Sequence, residues 1–378
     1  MNRLLFVIPE YSHGGTNKSL ENLLSLIDKT KYQISVYCLY EDGGEYYKKV
    51  FAPYILKKSR LYYWLHDNVW TRKVMGAYNK WTKRNNFEWL YRREALYLQR
   101  KYDFDTVIAY QEGTATMFVS YFSDNVKKIA WIHCDYGAWS KGIRRKVDEK
   151  CYSNIDDIVC VSESARKSFV TLFPECDCKT HAIYNVVRVG ENVNENENEN
   201  VNDNFNGNCF NIVSVGRLNP VKQFEMIPGI VAEIKKKTNR AFCWYIIGSG
   251  ATETIIKEEI VRYGVQEQVK LMGAKDNPYP YMRQADLVAC TSSSESFSYV
   301  LAEAKVLHTP IISNDFPVAY EVVDNQTGWI ANIKDMPGLL AQIINNEDGE
   351  YDEKKASVMI YEYSNKQILR DIEQLIQN

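Results

Sequence analysis

Two glutamates with seven residues between them, Glu295 and Glu303, flank a stretch that changes abruptly from small hydroxyl residues to an apolar helical pattern. A short apolar run before Glu295 and apolar residues at helical spacing after it predict a strand, a tight loop and a helix. A helix start exposes unpaired backbone N–H groups and the positive end of the helix dipole. The residues that begin this helix are therefore suited to hold a diphosphate without a metal ion: Ser296, Phe297, Ser298 and Tyr299.

The two carboxylates lie on either side of this predicted anion site. Glu303 falls about two turns inside the helix, at most about 12 Å along its axis. Its neighbours are apolar, so an unpaired carboxylate would be costly there, whereas a vicinal diol offers it two hydrogen-bond donors. Glu295 is placed to reach a sugar. The spacing equally permits a structural interpretation, in which Glu295 caps the loop and Glu303 pairs with Lys305 or with an arginine elsewhere.

A second phosphate-binding pattern begins with the predicted strand at residues 211–215. The strand ends at Gly216, and two cations, Arg217 and Lys222, follow five residues apart. Arginine can grip a phosphate with two parallel hydrogen bonds and lysine adds a point charge. Two solvated surface cations are the alternative, which their place at the carboxyl end of a strand disfavours. Further small-residue turns follow later strands, at Gly248 and at Met272 with Gly273.

The first half of the chain carries a strand, a glycine loop and a helix, with Gly14 and Gly15 in the loop. Paired glycines allow close approach of the backbone to a ligand, but a lone pair is usually only a turn. The absence of G-x-G-x-x-G disfavours a dinucleotide-dependent dehydrogenase. His133 ends an apolar strand, where α/β folds place ligand-binding groups. Alternatively, His133 has a structural role and its ring forms a hydrogen bond with Asp135.

Together these segments resemble the family-four retaining glycosyltransferases, which have the GT-B fold. Glu295-x7-Glu303 resembles their E-x7-E motif, with serines where the usual E-G-F-G start has glycines, and residues 216–222 resemble their G-R-L-x-x-x-K segment. The resemblance implies an α/β fold of two Rossmann-like domains that face each other across a cleft. It also implies a nucleotide-sugar donor and transfer with retention of configuration.

The resemblance assigns roles to residues of this chain. It implies that Glu295 and His133 contact the donor sugar and that Glu303 binds the ribose. Arg217, Lys222 and the amides of residues 296–299 would hold the diphosphate. The remaining donor-site residues carried over are Gly14, Gly15, Gly216, Gly248, Met272, Phe297 and Gly273. The acceptor would be a glycan or a lipid-linked molecule, in surface polysaccharide synthesis of the bacterial type. A nucleotide-sugar epimerase on the same fold and a non-catalytic glycosyltransferase-like partner stay open as alternatives.

Length and composition are consistent with this interpretation. With 378 residues and 45% hydrophobic residues the chain fits two α/β domains. No apolar run approaches the roughly 18 residues of a membrane-spanning helix, and no export signal is visible, so we expect a cytoplasmic protein. The nine cysteines show no zinc-site spacing. Asp103-x-Asp105 imitates the D-x-D metal motif of a different glycosyltransferase fold, but an aspartate before a parallel strand is an ordinary turn residue. We therefore expect no metal and no cofactor.

Charge is distributed unevenly along the chain. Its net value is −2, yet residues 57–101 contain 12 Lys and Arg against 3 Asp and Glu, interleaved with tryptophan and tyrosine. Basic and aromatic residues together suit an anionic lipid surface, which predicts a peripheral protein on the inner face of the membrane. Helices with solvated basic faces are the alternative. Nucleic-acid binding is disfavoured because the back half is acidic and no reader motif is present.

Composition also divides the chain. Residues 1–187 form the predicted acceptor-side domain, and residues 188–209, rich in Asn and Glu, have no adequate apolar face and predict a disordered linker insertion. Residues 210–360 form the predicted nucleotide-sugar domain. Residues 361–378 contain a helix expected to cross back to the first domain.

Overall fold

A computed structural model describes residues 1–11, 14–40, 43–67, 71, 73, 88–139, 143–189, 205, 207–346, 349–359 and 364–377. The chain forms two compact units. Met1–Val186 together with Asn365–Asn378 form the N-terminal unit, and Val187–Ser364 form the C-terminal unit. The boundary falls one residue before the predicted one, and the Val186 carbonyl still accepts a hydrogen bond from Asn22 Nδ2 of the N-terminal unit at 3.2 Å.

The N-terminal unit is built on a parallel sheet of six strands in the order β2-β1-β3-β4-β5-β6. Its strands are short apolar runs buried on both faces, as parallel sheets require. The strand order reverses between β1 and β3, and in such sheets ligands bind beyond the carboxyl ends at the reversal point. The strands are β1 Asn2–Ile8, β2 Tyr32–Cys38, β3 Thr106–Ala109, β4 Lys127–Ile132, β5 Asp157–Cys160 and β6 Thr180–Ala182.

The helices of the N-terminal unit connect these strands. In chain order they are α1 Gly15–Leu26, α2 Glu45–Phe51, α3 Arg60–Tyr62, α4 Glu88–Tyr102, α5 Thr114–Val119, α6 Tyr136–Trp139, α7 Ile143–Ser153 and α8 Glu163–Leu172. A π-helical turn, Tyr63–Asp67, follows α3. The last helix of the chain, Asn365–Gln377, also packs on this unit, where Glu373 pairs with Lys31 at 2.9 Å.

The C-terminal unit contains a second parallel sheet of six strands, in the order β12-β11-β10-β7-β8-β9. Here the order reverses between β7 and β10. The segments predicted to bind phosphate, after Gly216 and around Glu295, follow those two strands, so the topology places them at one reversal point. The strands are β7 Phe210–Val215, β8 Phe242–Ile247, β9 Val269–Gly273, β10 Leu287–Cys290, β11 Ile311–Asn314 and β12 Gly328–Ala331.

The helices of the C-terminal unit cover both faces of its sheet. They are α9 Ile227–Ile234, α10 Glu253–Tyr263, α11 Tyr279–Gln284, α12 Tyr299–Val306, α13 Ala319–Val322, α14 Met336–Asn345 and α15 Glu350–Met359. The final helix of the chain, Asn365–Gln377, is α16. None of the helices that the structure describes combines the length and the apolar composition needed to cross a bilayer.

Two predicted segments lie partly outside the described residues. In the basic and aromatic segment at 57–101, residues 68–70, 72 and 74–87 are outside. In the predicted insertion at 188–209, residues 190–204 and 206 are outside. Phe205 falls inside that predicted insertion but packs against Tyr245, with ring centroids 4.5 Å apart. The packed part of the chain therefore begins before residue 210.

Candidate active site

Three neighbouring strands of the C-terminal sheet end in glycine, at Gly216, Gly248 and Gly273. The backbones approach closely there, and the Gly248 N–H donates to the Gly273 carbonyl at 2.9 Å. A Cβ on Gly248 would lie 1.8 Å from the Gly216 carbonyl oxygen, and its φ of +152° is a conformation that other residues rarely adopt. Glycine at 248 is thus required by packing. Met272, also predicted to line the donor site, is the half-buried residue before Gly273 in β9.

Lys222 and Glu295 form an ion pair at the reversal point of the C-terminal sheet. Lys222 Nζ lies 2.6 Å from Glu295 Oε1, and each side chain is 18% exposed. Burial alone would lower the pKa of Lys222, but the Glu295 carboxylate outweighs it, and the pKa of Lys222 is raised. The lysine stem also passes over Gly216, since a Cβ there would lie 3.1 Å from Lys222 Cε. Lys222 is therefore a positioned cation and not a solvated surface lysine.

Arg217 completes the positive charge at this edge. Its side chain is exposed and makes no hydrogen bond or ion pair within the part of the chain that the structure describes. Its charge is close enough to Lys222 to lower the pKa of that lysine slightly against the larger effect of Glu295. An exposed guanidinium beside a fixed ammonium is suited to a ligand with several anionic oxygens.

The loop after β10 is fastened to the turn that carries Lys222. Thr291 Oγ1 donates to the Lys222 carbonyl at 2.7 Å, and the Ser293 N–H donates to the Val221 carbonyl at 2.8 Å. Between them, the buried Ser292 turns its hydroxyl toward Glu295 Oε1, 2.7 Å away. Thr291 and Ser293 thus bind the neighbouring turn, and Ser292 between them binds the Glu295 carboxylate.

Helix α12 begins directly beyond Glu295. Phe297 is buried and packs edge-on against Tyr299, with ring centroids 5.0 Å apart, while Ser296 is half-buried. Ser298 adopts a left-handed backbone with φ of +60°, a conformation that glycine reaches at lower cost. Its hydroxyl oxygen is buried and has no hydrogen-bond partner among the described residues. The predicted helix is present but begins at Tyr299, so Ser296, Phe297 and Ser298 precede it, and the unsatisfied Ser298 hydroxyl lies at its start.

Glu303 is buried inside α12, with 3% of its surface exposed. Tyr279 donates its hydroxyl to Glu303 Oε1 at 3.1 Å. Lys305, which the structural alternative paired with Glu303, instead contacts Asp324 at 3.0 Å and the Val322 carbonyl at 2.8 Å. That pairing with Lys305 is wrong, because residues two apart on a helix point in different directions.

In the N-terminal unit, His133 follows β4 at the carboxyl edge of the sheet. Its ring packs on Tyr110, with centroids 5.0 Å apart, and its backbone N–H donates to Glu112 Oε2 at 2.9 Å. Burial lowers the pKa of His133 to about 3, so the ring is neutral at pH 7. Its Nε2 is buried and has no partner among the described residues. Asp135 is therefore not its partner, and the Asp135 carboxylate accepts from Ser168 Oγ at 2.5 Å.

Gly14 and Gly15 lie where β1 passes into α1, next to the reversal point of the N-terminal sheet. Gly14 caps the helix with φ of −178°, and a Cβ added to it would meet no atom of the described residues within 4 Å. Packing against the described residues therefore does not require glycine at 14. The start of α1 is fixed to the neighbouring strand through Ser19, whose hydroxyl lies 2.8 Å from the Tyr110 hydroxyl.

The Asp103-x-Asp105 sequence, which resembles a D-x-D metal motif, has a structural role in this chain. Arg3 contacts Asp103 at 2.9 Å, and its backbone N–H donates to Asp105 at 2.7 Å. Within the described ranges, no group of three or more His, Cys, Asp or Glu side chains is arranged to hold a metal ion. The two aspartates anchor the start of the first strand.

Known family models match both halves of the chain. A model of the group 1 glycosyl transferases matches residues 195–367, and a model of glycosyltransferase family 4 matches residues 13–191. The chain belongs to the group 1 and family 4 glycosyltransferases. The family predicted from Glu295-x7-Glu303 is thereby confirmed.

Solved glycosyltransferases share the architecture over the whole chain. HepE of Anabaena in complex with UDP has a TM-score of 0.76 at 15% identity, and the match covers 100% of both chains. A TarM mutant of S. aureus, in complex with Fondaparinux, alpha-GlcNAc-glycerol and UDP, has a TM-score of 0.72 at 14% identity, again over 100% of both chains. These likenesses establish the GT-B fold that the sequence predicted.

Curated relatives match over shorter segments. The amylovoran biosynthesis glycosyltransferase AmsK of Erwinia amylovora is 29% identical over 153 residues, 37% of this chain and 37% of that protein. The N-acetylgalactosamine-N,N'-diacetylbacillosaminyl-diphospho-undecaprenol 4-alpha-N-acetylgalactosaminyltransferase of Campylobacter jejuni is 30% identical over 104 residues, 28% of this chain and 27% of that protein. An uncharacterized glycosyltransferase of Methanocaldococcus jannaschii is 22% identical over 201 residues, 51% and 49% of the two chains. The chain spans about half or less of these relatives' length.

Several residues of the two candidate sites were not singled out from the sequence. Ser292 and Asn314 support Glu295, Tyr279 contacts Glu303, and Tyr110 and Glu112 support His133. All follow strands or begin a helix at the carboxyl edges of the sheets. Position at a strand end was the available signal, but serine, asparagine and tyrosine are too common at such places for it to have identified them.

Proposed function

We propose that this glycosyltransferase moves a sugar from a nucleotide-sugar donor to a glycan or lipid-linked acceptor, with retention of configuration. The observation that carries the proposal is the Lys222 and Glu295 pair at the reversal point of the C-terminal sheet, beside the exposed Arg217. A diphosphate requires cations, and a sugar requires a hydrogen-bond acceptor next to them. Lys222 supplies the cation and Glu295 supplies the hydrogen-bond acceptor.

The donor diphosphate would contact Arg217, Lys222 and the backbone of residues 296–299. An ammonium has three N–H donors. Lys222 uses one on Glu295, which leaves others for phosphate oxygens. These charges would stabilise the nucleoside diphosphate as it departs, which is when its negative charge develops. Because the side chains supply this charge, we expect transfer to need neither a metal ion nor a cofactor.

The sugar end of the donor would lie at Glu295, and the acceptor hydroxyl would attack from the face that the diphosphate leaves. Retention follows from this front-face attack. His133 stays a predicted sugar contact, supported by its neutral ring and its unsatisfied Nε2. Glu303, with Tyr279 beside it, would bind the ribose. HepE and TarM were solved with UDP, so UDP-sugars are the first donors to test here.

A role in building surface polysaccharides or related glycoconjugates follows from the relatives. AmsK is named for amylovoran biosynthesis, and the Campylobacter jejuni protein for transfer to a sugar on diphospho-undecaprenol. Both names describe growing glycans, and the second describes a lipid-linked acceptor. We propose the same broad class of acceptor for this protein.

A donor panel with product analysis tests the function. Nucleoside diphosphate release that depends on an acceptor, with the sugar recovered on that acceptor, is expected and should persist in EDTA. An epimerase would need no acceptor and would return an altered sugar nucleotide. A non-catalytic partner would release no nucleoside diphosphate from any donor. Loss of activity in EDTA that manganese restores would contradict metal-independent transfer.

Replacing Glu303 with alanine is expected to weaken nucleoside diphosphate binding by ~1.5–3 kcal/mol, the usual loss for hydrogen bonds to a charged group. Isothermal calorimetry with UDP, GDP and ADP measures the change. Glu233→Ala is the matched control, because Glu233 is exposed and pairs only with its helical neighbour Lys236 in the described structure. If folded Glu303→Ala and Glu233→Ala bind the nucleoside diphosphate with equal affinity, Glu303 has a structural role only.

We further propose that the N-terminal unit binds anionic membranes through one face of α4. The opposite face of this helix is buried, including Leu90, Tyr91 and Leu98. The outward face bears aromatic and basic residues at helical spacing around a shallow groove of about 700 Å³: Trp89, Arg92, Arg93, Leu96, Tyr97, Arg100 and Lys101. Trp89 is 49% exposed, a high fraction for so large an apolar ring. This arrangement suits the boundary between acidic headgroups and acyl chains.

The double variant Arg93→Glu with Arg100→Glu is expected to lose membrane binding. Each basic residue near an acidic surface contributes about 1 kcal/mol, so reversing two should weaken binding by roughly thirtyfold or more. Flotation with phosphatidylserine-containing vesicles measures this, and added salt should reduce binding of the native protein. Lys257→Glu with Arg262→Glu, on the exposed helix α10, is the control. Equal flotation with neutral and acidic vesicles would contradict a charge-dependent surface.

A further inference from the structure

The carboxylate of Glu295 is held through only one of its two oxygens. Oε1 accepts from Lys222 Nζ at 2.6 Å and from Ser292 Oγ at 2.7 Å. Oε2 receives no hydrogen bond within the part of the chain that the structure describes. A carboxylate fixed at one oxygen has a defined orientation and keeps acceptor capacity at the other.

The two donors to Oε1 differ in how firmly they are fixed. Lys222 is a long side chain whose other N–H groups would face the diphosphate in the proposed function. Ser292 is fully buried, at 0% exposure, and its carbonyl accepts from Asn314 Nδ2 at 2.9 Å. Its hydroxyl also lies 3.4 Å from the Cys290 thiol. Ser292 is held from both sides, and a single rotatable bond joins its backbone to the carbon that carries its hydroxyl. Of the two donors to Oε1, Ser292 is therefore the more firmly fixed.

We infer that Ser292 is a positioning residue for Glu295. It retains Oε1 while the other N–H groups of Lys222 bind the donor diphosphate, and this keeps Oε2 directed at the donor sugar. Asn314 supports the same arrangement by holding the Ser292 backbone. The inference rests on the proposed function, because it assigns a substrate contact to Glu295.

Ser292→Ala should lower kcat and leave nucleoside diphosphate binding unchanged. The hydroxyl touches Glu295 and not the phosphate cations, so the loss belongs to the sugar end of the site. A hydrogen bond to a charged group corresponds to a fall of roughly tenfold or more in kcat. The dissociation constant for the nucleoside diphosphate selected by the donor panel should stay within about twofold.

Ser293→Ala is the matched control, since it removes a hydroxyl one residue along. Ser293 Oγ contacts the Val221 carbonyl at 3.2 Å, and its backbone N–H keeps its own bond to the same carbonyl. This variant should retain native kcat. Ser292→Thr, which keeps the hydroxyl, should recover most of the activity lost in Ser292→Ala. Thermal melting of each variant separates loss of positioning from loss of folding.

A double-mutant cycle decides the assignment. If Ser292 acts through Glu295, Ser292→Ala should cause no further loss of kcat in a Glu295→Ala background. An equal loss in both backgrounds, or a folded Ser292→Ala that behaves like Ser293→Ala, would overturn the inference while leaving the proposed function intact. No turnover by the native protein with any donor would instead overturn the proposed function, and the substrate role of Glu295 with it.

Discussion

Lys222→Ala is expected to reduce turnover by on the order of 10²–10³, the loss seen when one preorganised group that stabilises developing charge is removed. The lysine lies 2.6 Å from Glu295, which follows the neighbouring strand β10, and it shares the turn after β7 with Arg217. Without it the departing diphosphate would lose a fixed cation, and the Glu295 carboxylate would lose its charged partner. Steady-state kinetics with the donor found in the panel measures the effect on kcat.

Lys257→Ala is the control for this variant. Lys257 also pairs with a glutamate, Glu253, at 2.7 Å, but it is 61% exposed on α10. Its removal should leave kcat unchanged, since an exposed helical pair contributes little. If Lys222→Ala melts at a lower temperature but keeps its specific activity, Lys222 stabilises the fold and the phosphate assignment is wrong.

Gly248→Ala is expected to destabilise the C-terminal unit by about 3 kcal/mol or more, through an unfavourable backbone conformation and overpacking together. The added Cβ would lie 1.8 Å from the Gly216 carbonyl oxygen, so two strand ends would have to separate. For a unit of this size the melting temperature should fall by roughly 6–12 °C. Differential scanning calorimetry measures the fall.

Gly264→Ala separates the two causes. Gly264 also has a positive φ, +64°, but no atom lies within 4 Å of an added Cβ. It should therefore cost only about 1 kcal/mol, the penalty of the left-handed conformation. If both variants melt at the same temperature, the close approach of the Gly216 and Gly248 backbones does not determine stability.

The sequence predicted the fold well because the strands of parallel sheets are short, continuous apolar runs. The strand predicted at 211–215 is Phe210–Val215, and the helix predicted from Tyr299 begins there. Local patterns also placed Gly216, Arg217, Lys222 and Glu295 at strand ends. The strand order brings those ends together, because β7 lies beside β10 in the sheet although the chain between them is long.

Side-chain pairing could not be predicted in the same way. Lys222 and Glu295 were each assigned to the donor, but their contact with one another spans 73 residues and depends on tertiary packing. From the sequence, Glu303 could either bind a ribose or pair with Lys305. The structure excludes the pairing with Lys305, because the Lys305 ammonium contacts Asp324 instead. For His133, the nearby Asp135 was a plausible partner by spacing, yet that carboxylate binds Ser168. In each case the direction of a side chain determines which partner it contacts.

A crystal structure of the protein with the nucleoside diphosphate selected by the donor panel tests the central claim most directly. We expect the diphosphate against Arg217, Lys222 and the start of α12, with the ribose hydroxyls on Glu303. Glu295 should still contact Ser292 through Oε1. A nucleotide bound elsewhere, or a diphosphate held without Arg217 and Lys222, would contradict the account.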